Sequence, residues 1–139
     1  MNDARTDLRT IALVAIGGAA GTLVRYALGR WVVVAPGTFP TTTFAINVTG
    51  ALVLGLVLGT LARYRPADTT WRPLIGVGFL GGYTTFSTFA VETTQLVRAD
   101  RAVTAATYVV ASVVIGLLAA RIGEAATGVS PAAIPEDEM

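Results

Sequence analysis

The sequence predicts an all-α integral membrane protein with four transmembrane helices, the third of them broken near its middle. Three observations carry this expectation. Of 139 residues, 53% are hydrophobic and only 14% are charged, too few to clothe a soluble domain of this length in polar groups. The charges are also segregated, with no Asp, Glu, Lys or Arg between Arg30 and Arg63, between Arg72 and Glu92, or between Arg101 and Arg121. Each gap can hold a span of about 20 residues, the length that crosses a bilayer core at about 1.5 Å of rise per residue. An open sheet would leave its edge groups unpaired in lipid, so these spans must be helices. The last observation is the run Gly81-Gly82-Tyr83-Thr84-Thr85-Phe86-Ser87-Thr88-Phe89, whose glycines and hydroxyl residues make a poor continuous helix.

The elements follow in order. Residues 1–9 read as a short polar arm. Helix one is expected over about 10–33. Its charge-free part, Thr10 to Val24, is short for a hydrocarbon core, so the helix must carry Arg25 within it and continue toward Trp31. A short basic start before an apolar run also resembles a secretory signal peptide, but three further spans follow. Pro36-Gly37 marks the next loop. Helix two is expected over 43–62, a polar turn over 63–72, helix three over 73–97 with Pro73 in its first turn, and helix four over 102–121. The membrane domain therefore spans 10–122. The tail, 123–139, ends in acidic residues and reads as disordered.

The composition excludes several functions. A net charge of +1 offers no basic field for nucleic acid. Cys, His and Lys are all absent, which removes disulfides, thiolate and imidazole metal sites, and His-dependent or Ser-Lys catalysis. The chain is not expected to be an enzyme. Arginines divide six to four between the two sides of a four-span topology, a bias weak enough for insertion in both orientations. Gly17 with Gly21, Gly55 with Gly59, Gly78 with Gly82, and Ser112 with Gly116 form small-residue faces that suit close helix association in lipid.

Polar residues inside the spans mark the candidate site. Asn47 lies in an apolar run of helix two, as glue between helices or as the lining of an aqueous path. The break in helix three either bares backbone groups for water or an ion, or is an ordinary Gly/Thr packing face. Thr104, Tyr108 and Ser112 are spaced by four on helix four, a stripe of uncharged donors for an anion or for a neighbouring helix. No carboxylate sits at mid-span and no arginine cluster offers a clamp for large oxyanions, leaving hydroxyls, an amide and the rings of Phe86 and Phe89. The positive edge of a phenyl ring can meet an anion without a full charge to trap it.

These motifs resemble the CrcB/Fluc family of fluoride channels over nearly all of residues 10–122. The markers are Gly17-Gly18 through Gly21 with Arg25-Tyr26, Asn47 with Gly50, and Gly78-Phe79 followed by the Gly81–Phe89 run with Glu92. The resemblance implies passive export of fluoride through the plasma membrane by an antiparallel, dual-topology dimer of identical or paralogous chains. It places Asn47, Phe86, Phe89, Ser87, Thr88, Tyr108 and Ser112 along the fluoride path and Arg25 toward the vestibule. It also implies a structural sodium ion at the dimer axis, held by backbone carbonyls near Gly81 and Thr84, and leaves Glu92 a structural role. Tyr83 and Gly116 are mild departures, and the acidic tail lies outside the match. The alternatives are a small multidrug-type antiporter, which needs a titratable group that helices one and two lack, and a non-conducting membrane assembly subunit.

Overall fold

A computed structural model describes residues 2–128, with side chains from Asp7 onward. Its elements are α1 (Asn2–Trp31), α2 (Thr41–Tyr64), a π-helical segment (Arg72–Phe79) that runs into α3 (Leu80–Tyr83), α4 (Phe86–Arg98) and α5 (Ala102–Ala126). Four stretches are long and apolar enough to cross a membrane: Asp7–Trp31, Thr41–Tyr64, Arg72–Arg98 and Ala102–Ala126. Trp31, Tyr64 and Trp71 stand exposed at the ends of these stretches, where amphipathic rings suit the headgroup region.

The helices overrun two expected boundaries. No Gly or Pro interrupts the first 16 residues, so α1 already begins at Asn2 and the described part of the 1–9 arm belongs to it. At the other end α5 continues past 122 to Ala126, supported by a 3.4 Å pair between Arg121 and Glu124 one turn apart. Gly128, at φ +67°, follows the helix end, and Arg63 on α2 donates to the Thr127 carbonyl at 2.6 Å. The remainder of the tail, 129–139, lies outside the described residues.

Two close helix pairs build the molecule. In one, α1 runs along the π-helical segment and α3; in the other, α2 runs along α5. Glycine makes both approaches possible. A methyl group at Gly21 would collide with the Phe79 carbonyl oxygen, and one at Gly82 with that of Gly18. Gly55 likewise abuts the Ala120 carbonyl. Close backbone contact supplies the packing that a hydrophobic effect cannot provide in lipid. A methyl group at Gly116 would meet no other part of the described chain, so Gly116 makes no such close approach. The small buried core is aromatic: Tyr108, wholly buried, sits with Leu96 and Ala105 against Phe39, Phe44 and Phe89. Large apolar side chains such as Leu23, Val103 and Leu117 face outward, as lipid-facing helices require.

Candidate functional site

The site forms between α3 and α4. Thr84 (φ −76°, ψ 161°) and Thr85 (φ −148°, ψ 121°) are extended, between the end of α3 and the start of α4. Local chemistry ends α3: the Thr84 amide and hydroxyl both donate to the Leu80 carbonyl, each at 2.9 Å. The next carbonyl acceptors are taken from outside the helix or left open. Arg25 Nε donates to the Gly82 carbonyl at 3.0 Å and Thr22 Oγ1 reaches the same oxygen at 3.4 Å. Among the described residues, no hydrogen bond reaches the carbonyls of Gly81 or Thr84.

Asn47 holds the extended pair in place. Its Oδ1 accepts the Thr85 amide at 2.8 Å, and its Nδ2 donates to the Thr85 carbonyl at 3.0 Å. One side chain thus satisfies both backbone groups of one residue, as a neighbouring strand would. On the far side, the Thr85 hydroxyl caps α4 by accepting the Thr88 amide at 3.1 Å. The amides of Phe86 and Ser87 find no acceptor among the described residues, so the positive end of α4 stays open.

A cavity of about 440 Å³ opens at this junction. Asn47, Gly81, Thr84, Thr85, Phe86, Phe89 and Ser112 line it, with apolar residues of α2 and α5 between them, and none of its lining residues is charged. The Phe86 and Phe89 rings lie 5.8 Å apart at 40°, with Phe86 79% exposed. Ser112 turns a buried hydroxyl oxygen, with no hydrogen-bond partner among the described residues, into the same region. Gly50 allows the Thr84 side chain to approach α2 closely.

Of the expected site residues, the fold gathers Asn47, Phe86, Phe89, Ser112, Gly81 and Thr84 around one cavity. Ser87 and Thr88 sit beside it on the first turn of α4, bound to the Thr85 hydroxyl. Tyr108 lies behind Phe89, ring centroids 5.0 Å apart, and its hydroxyl donates to Glu92 Oε2 at 2.8 Å. Arg25 is held on the α1 side against Gly82 and does not line the cavity. The partners of Glu92, read from the sequence as structural, and the part played by Thr85 come only from the fold. Glu92 is a two-handed acceptor, taking Thr43 on Oε1 at 2.8 Å and Tyr108 on Oε2; a carboxylate inside a span is the signal that such donors must exist. Thr85 is the hinge of the whole junction, and a Thr just before a helical run is an N-cap signal.

Residues 12–124 match the family model described as CrcB-like protein, Camphor Resistance (CrcB). The chain belongs to the CrcB family. Among its relatives is the fluoride-specific ion channel FluC 2 of Rhodococcus jostii, 48% identical over 82% of this chain and 95% of that protein. The fluoride-specific ion channel FluC of Acidobacterium capsulatum is 45% identical over 79% of this chain and 89% of its own length. That of Oceanobacillus iheyensis is 40% identical over 84% and 89%. The CrcB match runs from the first turns of α1 to the last turn of α5, so every residue of the cavity falls inside it.

Proposed function

We propose that this multi-pass membrane protein is a fluoride-selective channel that lets the anion leave the cytoplasm by passive electrodiffusion and so lowers fluoride toxicity. The observation that carries the reading is the uncharged cavity at the interrupted crossing. Fluoride is small and strongly hydrated, so a path must offer many hydrogen-bond donors in place of water. A fixed cation among them would hold the ion too long. Here the donors are neutral: the Ser112 hydroxyl, the open amides at the start of α4, the second Nδ2 hydrogen of Asn47 and the edges of Phe86 and Phe89. The helix interruption adds a field without a charge, because the N-terminal end of a helix favours an anion.

The same interruption turns the C-terminal end of α3 toward the cavity, and that end favours a cation. Oxygen donors suit a hard ion such as sodium. The two carbonyls without hydrogen-bond partners, at Gly81 and Thr84, fit it, and a Cβ at Gly81 would meet only open space. Two such carbonyls are half a coordination shell at most, which fits a site completed by a second copy of the chain. Bound there, sodium would add structural positive charge at the junction. The weak arginine bias and the broad exposed apolar surface support an antiparallel, dual-topology dimer.

The reading is tested on purified protein in liposomes loaded with fluoride or chloride, with efflux followed by ion-selective electrodes. Fluoride should leave far faster than chloride under a driving voltage. Equal rates would remove the selectivity, and sealed vesicles would remove the channel.

A further inference from the structure

We infer that Thr85, which is absent from the expected path residues, is a positioning residue for permeation: its hydroxyl orients those of Ser87 and Thr88 and leaves the Thr88 proton free for the passing anion. This rests on the fluoride-channel reading above. Thr85 is buried, and both of its backbone groups are fixed by Asn47. Its Oγ1 accepts the Thr88 amide, donates to Thr88 Oγ1 at 3.0 Å and lies 3.3 Å from Ser87 Oγ. A hydroxyl has one hydrogen to give. Because that hydrogen goes to Thr88, the contact with Ser87 must be Ser87 donating to Thr85. The three hydroxyls therefore form a directed chain from Ser87 through Thr85 to Thr88.

The chain ends on an unused donor. Among the described residues, the Thr88 hydroxyl hydrogen has no acceptor. Several threonines in regular helix give theirs to the preceding turn. Thr93, Thr94 and Thr107 donate to the carbonyls of Phe89, Ala90 and Val103, four residues back, at 2.8, 2.9 and 2.9 Å. For Thr88 the equivalent carbonyl belongs to Thr84, which the interruption takes out of helical geometry. With the usual acceptor displaced, the Thr85 proton fills one lone pair of Thr88 and leaves its hydrogen unclaimed among the described residues. Each bond in such a chain polarises the next, strengthening the terminal donor by roughly 10–30% per bond. Thr85 itself lines the cavity, and Thr88 Oγ1 lies 3.0 Å from its hydroxyl.

The test is fluoride efflux from vesicles carrying full-length protein, wild type beside Thr85→Val, Thr85→Ala, Thr85→Ser, Thr88→Val and Thr85→Val/Thr88→Val. Thr107→Val, on an exposed turn away from the cavity, is the control and should conduct like wild type. Monodisperse Thr85→Val should slow efflux by roughly tenfold, the effect of about one lost hydrogen bond. Thr85→Ser should restore it, and the double variant should be no slower than Thr88→Val alone. Wild-type efflux from Thr85→Val would overturn the inference while leaving the channel intact. So would a Thr85→Ser protein as slow as Thr85→Val, or a double variant slower than Thr88→Val. If neither hydroxyl-free variant folds, the hydroxyl serves the fold and the inference is likewise overturned. Absence of wild-type fluoride efflux would instead sink the channel reading.

Discussion

Asn47 shows what one side chain can settle. It was legible as a polar group in an apolar run, yet whether it was glue or path stayed open, because its partner lies 38 residues away. The geometry makes it both: the amide spends an acceptor and a donor on Thr85, and it still lines the cavity. Asn47→Ala strands the Thr85 amide and carbonyl, and an unsatisfied buried polar group costs about 1–3 kcal/mol. We predict thermal destabilisation of that order in detergent and loss of fluoride efflux; a variant that conducts normally would contradict the clamp. Asp68, in the loop before the third crossing, gives a residue-scale pH effect. Its carboxylate accepts the backbone amides of Arg72 at 2.9 Å and Thr70 at 3.1 Å. The Arg72 amide is the main cause holding its pKa below the ordinary 3.8, with Thr70, Trp71 and the charge of Arg65 adding to it. A carboxyl depressed in the fold stabilises above its ordinary pKa and loses that contribution as pH falls through the lowered value. Amide exchange across 68–72 should therefore quicken in strong acid, and Asp68→Asn should flatten that dependence.

At the scale of elements, the four crossings and their approximate ends follow from charge spacing alone, while their internal geometry does not. Nothing in the Arg72–Phe79 sequence announces a π-helix, and in the fold this segment packs along α1. Gly21 is part of that contact. Gly21→Leu would drive a side chain into the Phe79 carbonyl, and we predict a cost of roughly 1–3 kcal/mol or failure to assemble, read from size-exclusion profiles and thermal melts. The α4–α5 turn offers the opposite case. Asp100 holds φ 58°, with its amide on Val97 O at 3.1 Å and the Arg101 amide on Leu96 O at 2.9 Å. This is a Schellman end, in which glycine is the usual residue. Asp100→Gly should raise stability by roughly 0.5–1 kcal/mol, seen as a higher melting temperature, since it relieves the left-handed backbone.

For the whole molecule, the surface is the informative part. Apolar side chains face outward along all four crossings, and among the described residues only Arg121 and Glu124 form an ion pair. Orientation can be tested directly, because the chain contains no cysteine and any introduced one is a unique probe. With Arg65→Cys in the loop after α2, an impermeant maleimide added outside intact cells should label about half of the protein if both orientations insert equally. Labelling of all or none would rule out dual topology.

The sequence by itself determined the solvent, the number of crossings, the absence of charge along the polar stripe, and the Gly81–Phe89 run as the place to look. These are local or compositional properties, fixed by residue type and by how long a helix must be to cross lipid. Only the tertiary structure decided that Asn47 grips Thr85, that Tyr108 donates to Glu92, and that Thr85 contacts the hydroxyls beside it. Each of those pairings joins donors and acceptors whose directions depend on helix rotation and on a two-residue extension of the backbone. Spacing along a chain cannot encode either.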